Sequence, residues 1–177
     1  MLDAGLALMR DAPGASPKIS DLVRAAGVSN DAFYRAFRSK DDLVAAVVDD
    51  GTRRVLAYVV HQRAKSSDPA EQIRLCVRAV MRQADDPEAA ATARAVLSNP
   101  SRQAASRTAG LVHLGDSLAD VLIAPLEALA SSDPRRDAQA LGWMLAGAVE
   151  HYVLSELIPS AEDVDHLCRW ALSSASR

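Results

Sequence analysis

The sequence predicts an all-α protein of about nine helices, and three observations predict it. Glycine and proline are scarce, eight of each in 177 residues, and most prolines stand beside capping residues at the edges of apolar-periodic segments. Between those edges apolar residues recur at three- and four-residue intervals, the spacing of one helix face. No stretch alternates apolar and polar residues between turn signals, so no sheet is expected.

Taken in order, the first helix spans about 2–11, with Leu2, Leu6 and Met9 on one face. Ser16-Pro17 predicts a second over about 17–26, serine capping and proline in the first turn. Ile19, Leu22, Val23 and Ala26 make its apolar face, and Gly27 stops it, because a left-handed cap favours a residue without a Cβ. Ser29 caps a third over about 30–37, whose Phe33 and Phe37 face back toward the second. Ser39-Lys40-Asp41-Asp42 opens a fourth over about 40–65, carrying Leu43, Val47, Val55, Tyr58 and Val59. Asp68-Pro69, Asp86-Pro87 and Asp133-Pro134 start helices over about 69–84, 87–97 and 134–157. Leu111, Leu114, Leu118, Val121 and Leu122 define another over about 105–130, and Ser160-Ala161-Glu162-Asp163 opens the last, about 161–174.

The length allows one good core, or a small module sharing the core of a larger helical body. No apolar run approaches the roughly 20 residues of a membrane helix. The N-terminus lacks the basic and apolar regions of an export signal, so a cytoplasmic location is expected. Cys76 and Cys168 stand apart, without a metal-ligand pattern, and read as buried small hydrophobes. No metal and no cofactor is expected.

A net charge of −3 disfavours phosphate binding by the whole chain, but the charge is unevenly placed. Between Lys18 and Lys40 five basic residues face two acidic ones, a local +3, which leaves −6 elsewhere. Helix, glycine corner and short second helix are the layout of a helix-turn-helix, whose second helix enters the major groove of DNA. Three of the chain's seven aromatics, Phe33, Tyr34 and Phe37, fall within five residues. One short helix cannot bury three rings on one side, so Tyr34 is expected outside, its hydroxyl available to a phosphate. Lys18, Lys40 and Arg35 add charge-assisted phosphate contacts around it.

Ala26-Gly27-Val28-Ser29, Phe33-Tyr34, Phe37, Ser39-Lys40 and Leu43 resemble the N-terminal domain of the TetR/AcrR family of bacterial transcriptional regulators. Leu2-Asp3-Ala4 with Leu6 and Leu8 resembles that family's first helix, so the likeness covers roughly the first 50 residues. It implies that Tyr34 and Lys40 contact phosphates and that Asn30, Asp31, Ala32 and Arg35 face the groove, with Ser29 leading that helix. Lys18 stands where the family usually has threonine, and Asp31 where it usually has glycine. A carboxylate there weakens DNA affinity unless it accepts from a cytosine amino group. The chain begins almost at its first helix, so the family's basic N-terminal arm is expected to be missing here or lost to start-site choice.

The resemblance implies a DNA-binding domain over 1–45, then an effector-binding and dimerisation domain over 46–177 whose last two long helices pair with a second copy. Ala138, Gly142 and Ala146 form a small-residue stripe flanked by Leu141 and Leu145, and Leu167, Trp170 and Ala171 complete the expected dimer contact. Ordinary packing within one chain is the alternative. Met81, His113, Trp143, Met144, His151 and Tyr152 mix apolar bulk with polar handles and are the candidate effector contacts. The expected protein is therefore a ligand-responsive regulator, a repressor that binds operator DNA as a homodimer. An alternative is a DNA-binding regulator with no small-molecule effector.

A serine esterase is the rival. Gly115-Asp116-Ser117-Leu118 spells a GDSL-type nucleophile motif, and Asp163-Val164-Asp165-His166 supplies an Asp-x-x-His, giving a Ser117, Asp163, His166 triad. Its context is wrong, because such a serine follows a strand in an α/β domain, whereas the flanking leucines place Ser117 in mid-helix.

Overall fold

A computed structural model describes residues 1–100 and 107–174. Among them are nine α-helices and no strand: α1 (Leu2–Asp11), α2 (Ile19–Ala26), α3 (Asn30–Ala36), α4 (Lys40–Arg63), α5 (Pro69–Asp85), α6 (Pro87–Leu97), α7 (Arg107–Ala128), α8 (Pro134–Leu154) and α9 (Ala161–Ser174). The all-helical prediction holds, and none of these helices is long and apolar enough to cross a membrane.

Local chemistry sets most of the boundaries. Asp68 accepts from the backbone N–H groups of Ala70 and Glu71, Asp86 from those of Glu88 and Ala89, and Asp133 from that of Arg136, each with proline in the first turn. Such caps contribute about 1 kcal/mol each. Ser160 and Asp163 exchange reciprocal bonds, a capping box with aspartate for glutamate. At α4 Ser39 Oγ accepts from Asp42, but the Asp42 carboxylate turns back to the N–H of Arg38. The start expected at Ser16-Pro17 is not used. Helix α2 opens two residues later behind an extended Lys18 with no side-chain cap, where Ile19 first reaches the apolar cluster it packs on. Helix α8 ends at Leu154, three residues short of expectation, and Glu156 takes a positive φ of 55° in the link that follows.

Three apolar clusters hold the chain together. Leu22, Phe33 and Leu43 centre the head formed by α1, α2, α3 and the start of α4. Met9, Val44, Val47 and Ala95 join that head to α6. The largest cluster, in the body, includes Val59, Ile73, Val77, Met81, Leu118, Leu122, Leu141 and Leu145. The boundary expected near residue 45 falls inside α4, one unbroken helix that contributes Leu43 to the head and Val59 to the body. Cys76 and Cys168 are buried, unbridged and part of the body core, as their isolation in sequence predicted; burial pushes the Cys76 thiol up to about 11.

Helices α7 and α8 form the most extensive pair. Arg63 at the end of α4 donates to the Val121 carbonyl of α7 at 2.6 Å, and Arg94 of α6 donates to the Val153 carbonyl of α8 at 3.2 Å. These charged donors tie the surrounding helices to that pair and satisfy carbonyls that the helices leave open, that of Val121 because Pro125 four residues on has no N–H and that of Val153 because α8 ends at Leu154.

Candidate nucleic-acid interface

The corner between α2 and α3 is built on Gly27, whose φ of 66° and ψ of 31° are left-handed. Its N–H donates to the Arg24 carbonyl at 3.3 Å, and the N–H of Val28 donates to the Val23 carbonyl at 3.0 Å, which satisfies the end of α2. Ser29 then caps α3 by accepting from the N–H of Ala32 at 3.1 Å. Phe33 is fully buried and packs against Phe37, their ring centres 5.7 Å apart. Tyr34 meets the edge of Phe33 at 5.4 Å and is 55% exposed, the outward position expected of the third ring.

The five basic residues of this region divide into two groups. Arg24 pairs with Asp21, and Arg38 pairs with Asp42 at 3.0 Å, so both charges are answered locally. Lys18, Arg35 and Lys40 have no carboxylate partner among the described residues. Lys18 and Arg35 are exposed with Ser29, Asn30 and Asp31, while Ala32 and Lys40 are half-buried. The result is a short helix with backbone N–H groups at its start, an exposed phenol, and three cations of the head that have no carboxylate partner among the described residues. That set can hold phosphates of a duplex while α3 faces base edges.

Between the head and the body lies a cavity of about 550 Å³ lined by residues of α1, α4, α5, α6 and α8, with Leu114 of α7. None of Met81, His113, Trp143, Met144, His151 and Tyr152 lines it. Met81 is fully buried in the body core, and His113 and His151 are exposed. Trp143 is 49% exposed and donates from Nε1 to Asp116 at 3.0 Å. Met144 and Tyr152 are half-buried against the core, where burial and the Asp163 carboxylate push the Tyr152 phenol up. The actual lining, which includes Arg54, Tyr58, Arg82 and Thr52, was missed because it is assembled from helices far apart in sequence.

Ala138, Leu141, Gly142, Leu145 and Ala146 are buried within the chain, and so is Ala171. The small-residue stripe serves the α7–α8 contact, since a Cβ on Gly142 would overlap the Gly115 carbonyl. Leu167 is half-buried and Trp170 is 43% exposed. Ser117 sits mid-way along α7, and Asp163 and His166 lie on α9. The Asp163 carboxylate is taken by the backbone and hydroxyl of Ser160, which hold it below the usual carboxylate range. It caps the start of α9.

Residues 1–47 match the family described as bacterial regulatory proteins, tetR family. No curated protein matches the chain significantly. Among solved structures, the fatty acid degradation regulator FadR from Bacillus halodurans superposes with a TM-score of 0.66 at 17% identity, covering 99% of this chain and 92% of its own. The reduced form of NemR from E. coli gives 0.67 at 16% identity, covering 97% and 93%. A TetR-family transcriptional regulator from Pectobacterium atrosepticum gives 0.63 at 21% identity, covering 98% and 86%. At these identities the likeness concerns the fold, and it extends over nearly the whole chain. The first 47 residues are a TetR-family helix-turn-helix domain, and the chain as a whole has the fold of the TetR-like transcriptional regulators.

Proposed function

We propose that this DNA-binding regulator is a repressor that binds operator DNA as a homodimer and is released by a small molecule. The carrying observation is the exposed Tyr34 on the same helix-turn-helix as Lys18, Arg35 and Lys40, cations with no carboxylate partner among the described residues. In this reading residues 1–45 read DNA, with Ser29, Asn30, Asp31, Ala32 and Arg35 at the groove, and residues 46–177 bind the effector and the second subunit. A seven-residue α3 reads too few bases alone, and a two-fold dimer doubles the site. Trp143, Leu154, Leu157, Ile158 and Trp170, on α8, α9 and their link, are exposed apolar residues that a second copy would cover.

Release is a population shift, in which an effector that prefers a form with misplaced recognition helices lowers the fraction able to bind DNA. The test is a gel shift with the DNA upstream of the chain's own gene, repeated across salt concentrations. Retarded complexes with a dimer's stoichiometry and a steep salt slope are expected. Failure to bind any duplex at low ionic strength defeats the reading. A regulator without an effector is favoured if no compound in a metabolite panel raises the melting temperature.

A further inference from the structure

The cavity's lining is apolar in the main, with Leu2, Leu6, Val47, Val55, Val96 and Val149 among its walls. Its charged groups are three arginines against five carboxylates, a net of two negative charges. Every arginine is already answered. Arg54 bonds Asp50 at 2.8 Å and reaches Asp3 at 3.4 Å, and Arg82 bonds Asp86 at 3.3 Å and donates to the Tyr58 hydroxyl at 2.9 Å. Arg10 faces Glu88 at 3.9 Å. Glu150, half-buried on α8, is the lining carboxylate with no ion-pair or hydrogen-bond partner among the described residues. Thr52 adds a second sign of an unfilled site. It is only 8% exposed, lines the cavity, and its hydroxyl has no hydrogen-bond partner among the described residues, whereas buried polar groups are ordinarily satisfied.

We propose that the cavity takes an amphipathic aliphatic cation, a protonated alkylamine in chemical class, with its chain against the valine and leucine walls and its charge answered by Glu150. An anion that draws Arg54 or Arg82 away would leave Asp50 or Asp86, whose side chains are only 23% and 32% exposed, unpaired in a partly desolvated place. A neutral ligand would leave Glu150 unanswered, whereas an ammonium group answers it and brings N–H donors to a cavity that holds the Thr52 oxygen. The volume suits a ligand of this size, since small-molecule sites commonly measure roughly 300–1,000 Å³. The proposal rests on the reading of residues 46–177 as an effector-binding unit and names the chemistry that unit accepts.

The experiment titrates the full chain with decylamine, decanoate and 1-decanol below their micelle or solubility limits, followed by calorimetry. Decylamine is expected to bind saturably, one per chain, and decanoate at least about tenfold more weakly. Glu150→Gln should weaken decylamine about tenfold and remove its advantage over 1-decanol. Ala93→Phe, which fills the cavity from α6, should abolish binding. Melting curves check that both variants fold, and if Ala93→Phe does not, the near-isosteric Glu150→Gln decides. Decanoate binding as tightly as decylamine, indifference to Glu150→Gln, or no binding of either compound overturns the proposal. A gel shift on the same samples separates the two readings. Operator binding without amine binding removes only the ligand class, and amine binding by a chain that ignores DNA removes only the regulator.

Discussion

Gly142 of α8 lies directly on the backbone of Gly115 of α7: a Cβ at position 142 would overlap the Gly115 carbonyl oxygen, and a Cβ at 115 would overlap the Trp143 ring. Backbone cannot yield as a side chain does, so Gly142→Ala should destabilise the protein by about 2–3 kcal/mol despite alanine's better helix propensity. Gly51→Ala, in α4 with nothing within 4 Å of the added methyl, should instead stabilise by about 0.5–1 kcal/mol. Chemical denaturation of the two variants checks the contrast, and equal effects would show that the α7–α8 contact is looser than described.

That contact also marks the limit of what the sequence discloses. The spacing of Ala138, Gly142 and Ala146 announces a close approach of backbones but carries no information about which helix approaches. The stripe was expected between copies and is used within one chain. Where structure is local, reading succeeds: the Asp-Pro starts, the left-handed Gly27 and the outward Tyr34 each follow from a few neighbouring residues. Ser16-Pro17 carries the same signal and fails, because α2 forms only where Ile19 finds apolar partners. The cavity depends on residues as distant as Leu2 and Glu150, and no window along the chain contains both.

The division of the head's cations gives a sharp expectation for DNA binding. Lys18→Ala and Lys40→Ala should each weaken operator binding and reduce the salt slope by about one. Arg24→Ala should do little, since Asp21 already neutralises that guanidinium. Fluorescence anisotropy between low and moderate salt reads both quantities. If Arg24→Ala costs as much as Lys18→Ala, the charges are not partitioned as the ion pairs indicate.

Tyr34→Phe isolates the phenol. The ring keeps its edge contact with Phe33, so the melting temperature should not move. Loss of one hydrogen bond to phosphate should weaken operator binding about three- to tenfold. An unchanged affinity would remove Tyr34 from the interface while leaving the fold untouched.

Acid should act through the helix-start carboxylates. Asp42 is held low mainly by the Arg38 guanidinium, Asp86 mainly by the backbone N–H of Ala89 and then by Arg82, and Asp163 mainly by the Ser160 hydroxyl. A folded-state value below the unfolded one means that the stabilisation is complete above the unfolded value, about 3.9, and is lost as pH falls through the folded value. The melting temperature should therefore hold from pH 7 to about pH 5 and drop below about pH 4. Asp86→Ala should melt lower at neutral pH and show a shallower acid drop. An acid drop as steep as that of the unaltered chain would mean that Asp86 contributes no such linkage.

Asn99 offers the route by which an occupied cavity could reach DNA. It is fully buried at the end of α6, and its Nδ2 donates to the Ala15 carbonyl at 3.3 Å, in the link that leads into α2. Helix α6 supplies Ala93 and Val96 to one wall of the cavity and α1 supplies Leu2 and Leu6 to another. A ligand that parts those walls must move Asn99 relative to α1, and Ala15 with it. Asn99→Ala should cost about 1–2 kcal/mol of stability, because the Ala15 carbonyl loses its donor. It should leave decylamine binding intact while shrinking the ratio of operator affinities without and with decylamine. Linkage demands the same ratio in the amine's affinity measured without and with operator, so two independent titrations must agree. A ratio unaltered by Asn99→Ala would place the coupling elsewhere, with the Arg10–Glu88 pair the next connection between α1 and α6 to remove.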